Sequence, residues 1–95
     1  MVELGNYGED QFEEELNLQK LINSGMAWKW EGGVGREAMT ALEDGRCMLP
    51  NVERWDYWGN VVPARYMLEP GSVGTRELVV ERYGEEYAKE LEEQE

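Results

Sequence analysis

The chain has 95 residues, with 21 Asp and Glu, 9 Lys and Arg and no His, so its formal net charge is −12. A polyanion of this density repels phosphate backbones, which argues against direct nucleic-acid binding. The lack of histidine removes the usual general base and the common zinc ligand sets, so we expect neither an enzyme nor a cofactor protein. One cysteine cannot form an intramolecular disulfide, and no apolar run is long enough to cross a membrane. We therefore expect an intracellular protein without membrane contact.

The negative charge is concentrated at the two ends of the chain. Residues 1–15 carry six acids and no base, and residues 85–95 carry six acids and one base, which leaves a net charge of −1 for residues 16–84. The simplest interpretation is solvated ends that keep a small protein soluble, and the alternative is an acidic surface for a basic partner. We predict one domain over residues 1–95, with acidic, frayed ends at 1–9 and 85–95.

Two helices are predicted in the first half. The first begins with Asp10 as N-cap and ends at Gly25, with apolar residues mostly three or four positions apart. Residues 26–31 alternate large apolar residues with smaller or charged ones, which favours a strand or extended segment, with a continuing helical turn as the alternative. The second helix is predicted from Val34 to Asp44, and Gly45 ends it in a left-handed conformation.

From residue 46 the pattern changes to β-structure. The apolar residues of 55–58 and 61–62 flank Gly59–Asn60, which predicts a hairpin with a two-residue turn. Residues 65–68 are predicted to resume the second strand beyond Pro63, which cannot donate to a sheet.

The last helix is predicted to start at Gly74–Thr75. Gly84 lies in its middle and favours an end there, with the acidic tail only partly ordered. The predicted fold is therefore a small α+β domain with two N-terminal helices, a β-hairpin or small antiparallel sheet, and a C-terminal helix.

One glycine-rich segment is a candidate anion site. Gly32, Gly33 and Gly35 precede Arg36 at the predicted start of the second helix, where backbone N–H groups and the helix dipole favour a phosphate. The surrounding sequence lacks the βαβ unit of a dinucleotide fold and the lysine of a Walker loop. The alternative is that these glycines only allow a tight turn between two helices.

A second candidate site lies on the predicted hairpin. Most aromatic residues are expected in the core, but Trp58 beside the turn is the one that we expect to be exposed. Together with Asn60, Arg54 and Arg65, it would form a protein-interface anchor or a base-stacking platform. Cys47 lies in an apolar run and is predicted to be a buried, inert thiol.

Two stretches of the chain resemble a family of small uncharacterised proteins encoded by bacteriophages. The pattern LIxSGxAWxxEGxxGRxAM is matched at residues 21–39, DYxGNxVPxR at residues 56–65, and a following Pro-Gly turn at residues 70–71. The family has no known activity, so the resemblance implies a context, the cytoplasm of an infected bacterium, rather than a mechanism.

This context and the missing catalytic residues lead to one functional hypothesis with two alternatives. We expect a non-enzymatic phage accessory protein that binds a host or phage protein stoichiometrically, in host takeover or counter-defence. The alternatives are a small-nucleotide sponge that uses the glycine segment and a minor virion or assembly component. A homodimer is a further hypothesis, because a core this small gains stability from a partner's apolar surface.

Overall fold

Four α-helices and one two-stranded hairpin form the computed structural model, which describes residues 4–29 and 33–94, with side chains described from residue 11 onward. In chain order the elements are α1 (Leu4–Ser24), a 3-10 turn (Met26–Trp28), α2 (Gly33–Asp44), β1 (Arg54–Trp55), β2 (Val61–Val62), a second 3-10 turn (Arg65–Met67), α3 (Arg76–Tyr83) and α4 (Glu85–Glu92). This confirms the predicted α+β class. None of the helices in these ranges has the length and apolar character needed to cross a membrane.

Helix α1 begins seven residues earlier than predicted. It starts at Leu4, so Asp10 lies inside the helix and is not its N-cap. Gly5 and Gly8 make residues 4–9 weak helix formers, but extending an existing helix avoids the cost of a new nucleus. The predicted C-terminal end is confirmed, because Gly25 has a φ of 86° and its N–H donates to the carbonyl of Ile22.

The core consists of two clusters of buried side chains on either side of residues 47–49. The first cluster lies between α1, the first 3-10 turn and α2, and contains Leu18, Ile22, Ala27, Trp28, Ala38, Ala41, Leu42, Cys47 and Leu49. The second brings Met48 against α3 and α4, and contains Met48, Val79, Ala88 and Leu91. Residues 47–49 are thus an extended, buried segment between two helical layers, and they belong to no strand.

Two segments predicted as extended are 3-10 turns. Met26–Trp28 turns tightly after Gly25, and Arg65–Met67 forms a similar turn where the second strand was predicted to resume. The extended conformation was wrong in both places, because each strand of the hairpin has only two residues and neither segment has a neighbouring strand to pair with. For Met26–Trp28 the structure agrees with the alternative, a continuing helical turn. Residues 30 and 31, which belonged to the first prediction, lie outside the described residues.

The hairpin pairs Arg54 with Val62 and Trp55 with Val61 in antiparallel register. Its loop spans residues 56–60, so the predicted two-residue turn is wrong. The carboxylate of Asp56 accepts hydrogen bonds from the backbone N–H groups of Trp58 at 2.9 Å and of Asn60 at 2.8 Å. The side chain of Asp56 closes the loop, so the chain reverses over residues 56–60 and not over the Gly59–Asn60 pair alone.

The helix that follows Thr75 ends at Gly84, as predicted, and a second helix begins directly after it. Thr75 caps α3 by accepting a hydrogen bond from the N–H of Leu78, and Gly84 has a φ of 98°. Instead of a frayed end, residues 85–92 form α4, on which Leu91 is completely buried.

A partly buried arginine joins these two helices. The guanidinium of Arg76 contacts Glu85 at 2.7 Å and Glu92 at 3.0 Å. The hydrogen bond from Arg76 holds the pKa of Glu85 below its ordinary value, and the same bond raises the pKa of Arg76. Part of the C-terminal acidity is therefore neutralised within the fold.

Candidate interaction surface

A buried polar stripe on α1 fastens the segment 46–49 to the helix. Gln19 is completely buried, and its Nε2 donates to the carbonyl of Met48 at 2.7 Å while its Oε1 accepts from the N–H of Met48 at 2.9 Å. The side-chain amide thus makes the two bonds that a neighbouring strand would make to Met48. This pairing explains how a buried, extended segment satisfies its backbone without a sheet.

An ion pair lies one helical turn before Gln19. The carboxylate of Glu15, only 2% exposed, is 2.9 Å from the guanidinium of Arg46, which also reaches Asp44 at 3.2 Å. Burial by itself would lower the pKa of Arg46, but the hydrogen bonds and charges of Glu15 and Asp44 hold it above its ordinary value. The pair is a structural link between α1 and the chain after α2.

Cys47, beside this ion pair, is buried as predicted. Burial, reinforced by the negative charge of Glu15, raises the pKa of the thiol to about 12. A thiol with this pKa is almost entirely protonated at neutral pH, so it is a poor nucleophile and a poor metal ligand.

The polar stripe was not predicted from the sequence, although it leaves a regular signal there. Glu15, Gln19 and Asn23 follow one another at intervals of four, next to the buried apolar positions Leu18 and Ile22. Residues four apart lie on one face of a helix, so these three share the face that enters the core. Polar residues in phase with an apolar stripe predict buried partners, and this is the signal that could have found them.

Large apolar side chains are exposed mainly in one part of the chain. Of the eleven exposed large hydrophobic residues in the described structure, eight fall between residues 52 and 73. Single exposed apolar residues are ordinary, whereas a concentration of them marks an interaction site. The hairpin and its flanks are therefore the best candidate surface.

The outward face of the hairpin carries its aromatic residues. Arg54 and Val62 are partly buried, while the opposite pair, Trp55 and Val61, is about half exposed. Trp58 in the loop is 65% exposed, which confirms the prediction for this residue, and it contacts Tyr57 edge to face at 5.1 Å. Most aromatic residues were expected in the core, and for those at the hairpin this was wrong. Only one face of the short two-stranded hairpin packs on the rest of the protein, so the aromatic residues on the other face are exposed.

The two arginines predicted beside Trp58 bond to the body of the protein. Arg54 donates from Nε and Nη2 to the carbonyl of Asn23, at 2.9 and 2.6 Å, and Arg65 donates from Nη1 to the carbonyl of Leu49 at 2.8 Å. Asn60 is exposed in the loop, and its side-chain amide faces the Asp56 carboxylate at 3.4 Å. The arginines thus anchor the hairpin, and Trp58 and Asn60 stay at its surface.

A groove of about 720 Å³ separates the hairpin from α2. Its apolar lining includes the buried Trp28, Leu42 and Leu49 and the exposed Met39, Trp58, Val61 and Val73. Arg36, Glu43 and Asp56 supply charges at its walls. An apolar depression with a few charged groups is suited to a side chain or short segment of a partner.

The glycine segment does not form a left-handed nest in the part that the structure describes. Gly33 and Gly35 lie in the first turn of α2 and neither has a positive φ, while Gly32 lies outside the described residues. Arg36 is exposed on the same helix. What remains of the predicted anion site is a helix start and one arginine, which also fits the alternative of a tight helix–helix connection.

Comparisons with known proteins give no match: no family profile fits the chain, and neither a curated protein nor a solved structure is significantly similar to it. Residues 4–29 and 33–94 also contain no group of three acidic, cysteine or histidine side chains that could hold a metal ion.

Proposed function

We propose that this chain is a phage accessory protein that acts without catalysis, by binding a host or phage protein in the cytoplasm of the infected bacterium. The binding surface is the hairpin surface, which we define as Trp55, Tyr57, Trp58 and Val61. The single observation that supports this proposal is the exposure of these four large side chains by 50–65%.

The hairpin surface has the chemistry of a protein-binding site. Trp and Tyr dominate the binding energy of protein interfaces because each buries a large area while few torsion angles are fixed. The loop beneath them is held by the carboxylate of Asp56 and the hairpin by Arg54. A preorganised loop loses little entropy on binding, so its apolar area is used efficiently.

The proposal is tested by affinity capture with the tagged chain from host and infected-cell lysates, followed by mass spectrometry. We expect one protein to be recovered in stoichiometric amount, and Trp58→Ala to reduce its recovery at least tenfold. Met26→Ala is the matched control, because Met26 is also an exposed large apolar residue but lies outside the hairpin.

Two results would contradict the proposal. One is capture that is equally strong with Trp58→Ala and with the unchanged chain. The other is the absence of a specific protein from both lysates. The variants are compared at equal folded fraction, checked by circular dichroism, so that a loss of capture reports the surface itself.

A further inference from the structure

Helix α2 presents a narrow outward face that is unpartnered within the described structure. Arg36, Met39, Thr40 and Glu43 are all exposed and lie at positions i, i+3, i+4 and i+7, opposite the core residues Ala38 and Ala41. Met39 is 45% exposed at the centre of this face. The same four residues form the α2 side of the groove.

The charges on this face complement those on the same face of a second copy. Arg36 and Glu43 are two turns apart, about 10.5 Å along the axis, and neither makes an ion pair with a described residue. If a second α2 lies antiparallel on the first, Arg36 of each copy meets Glu43 of the other. The two-fold axis then passes between Met39 and Thr40.

We infer that the outward face of α2 binds a second copy of this chain and forms a symmetric dimer. A two-fold interface needs one patch that complements itself, and the order of cation, apolar residue and anion on α2 meets this condition. Thr40 is small, so the two helices can approach closely at the axis. Dimerisation covers Met39, the large apolar side chain at the centre of this face.

The net charge of −12 does not prevent this association. Most of the excess acid belongs to residues 1–15 and 85–95, whereas the outward face of α2 carries one cation and one anion. At physiological ionic strength charges are screened beyond about 8 Å, so distant acids on the two copies repel only weakly. The association of two copies therefore depends mainly on the outward face of α2.

The inference is tested on the full chain by sedimentation equilibrium in 0.15 M salt. We expect a monomer–dimer equilibrium with a dimer of about 22 kDa, twice the 11.0 kDa of the chain. Arg36→Glu and Glu43→Arg should each raise the dimer dissociation constant at least tenfold, since by symmetry each substitution places like charges together twice. The double variant restores the two pairs in reversed order, and its constant should return to within about threefold of the original.

Two control variants carry the same charge changes elsewhere. Lys20→Glu lies on the exposed side of α1, and Glu37→Arg lies on α2 but one position beyond the outward face. Both should leave the dissociation constant within about threefold. A chain that stays monomeric at 1 mM overturns the inference, as does a dimer that resists both single swaps or is not restored by the double swap. Neither result affects the hairpin surface, because that proposal is measured by capture of a different protein.

Discussion

On α1 the polar side chains of Glu15 and Gln19 are almost completely buried, whereas on the hairpin the apolar side chains of Trp55 and Trp58 are exposed by half or more. Both of these polar side chains have a partner in the segment 46–49. In the hairpin loop, Trp58 contacts the ring of its exposed neighbour Tyr57. The two regions therefore separate the side chains that hold the fold from those available for binding.

This difference teaches that polarity alone does not assign residues to core or surface in so small a chain. A domain of this size buries a limited apolar area, so directed hydrogen bonds and one ion pair supplement the core. Apolar residues that the core does not use can be placed at the surface without loss of stability. The following substitutions test this separation.

Arg46→Ala should have the largest effect, because it leaves the carboxylate of Glu15 buried without its cation. Removing one partner of a buried ion pair costs about 3–5 kcal/mol of unfolding free energy. Arg76→Ala is the matched control, since its partners Glu85 and Glu92 are much more accessible to solvent than Glu15, and pairs near the surface contribute less than about 1 kcal/mol. Urea denaturation measures both, and equal losses would show that the Glu15 pair is not effectively buried.

Gln19→Ala should lower the free energy of unfolding by about 2–3 kcal/mol, because the N–H and the carbonyl of Met48 both lose their buried partner. Asn17→Ala, at an exposed position of the same helix, should change it by no more than about 0.5 kcal/mol. Native-state hydrogen exchange at the amide of Met48 provides a local measurement. Unchanged protection in Gln19→Ala would contradict the strand-like role of this side chain.

Cys47 should make stability fall at alkaline pH. The pKa of the thiol is about 12 in the folded chain and 9.0 as its ordinary value, so between these limits the unfolded chain releases a proton that the folded chain keeps. Unfolding then becomes more favourable by about 1.4 kcal/mol per pH unit. The contribution is fully present below pH 9 and is lost towards pH 12.

Denaturation curves of the unchanged chain and Cys47→Ala between pH 8 and 11 isolate this contribution, because all other groups are common to both. The alanine variant should show the shallower decline. Parallel curves, or rapid reaction of the native thiol with Ellman's reagent at pH 8, would indicate an accessible thiol of ordinary pKa.

Trp58→Ala should have the smallest effect on stability, within about 0.5 kcal/mol, because the side chain is 65% exposed. Trp28→Ala provides the contrast, since this tryptophan is only 7% exposed and its loss should cost about 3–5 kcal/mol. Thermal or urea unfolding compares the two. If Trp58→Ala is as damaging as Trp28→Ala, the hairpin surface belongs to the core and the separation of roles fails.

The main elements of the fold could be predicted from local signals. Glycine at positions 25, 45 and 84 ended helices at the predicted points because the left-handed backbone found there favours glycine. The start of α1 could not be predicted, since residues 4–9 are weak helix formers that extend a helix already nucleated. The 3-10 turns were missed because their conformation depends on whether a neighbouring strand exists, which only the whole fold decides.

The candidate site was predictable only in part. The exposure of Trp58 follows from its position beside a turn, which local sequence reveals. The orientation of Arg54 and Arg65 does not, because their partners are backbone carbonyls 31 and 16 positions away. Local patterns contain no information on such distant acceptors.

The way in which Arg54 and Arg65 attach the hairpin affects which of its residues tolerate substitution during evolution. Arg54 and Arg65 bond to carbonyl groups of the main chain, which every amino acid at positions 23 and 49 would provide. The exposed loop residues Tyr57, Trp58 and Asn60 can therefore be replaced with little effect on the attachment. A loop held in this way can follow a target that mutates, and it also offers a place to graft a foreign recognition sequence.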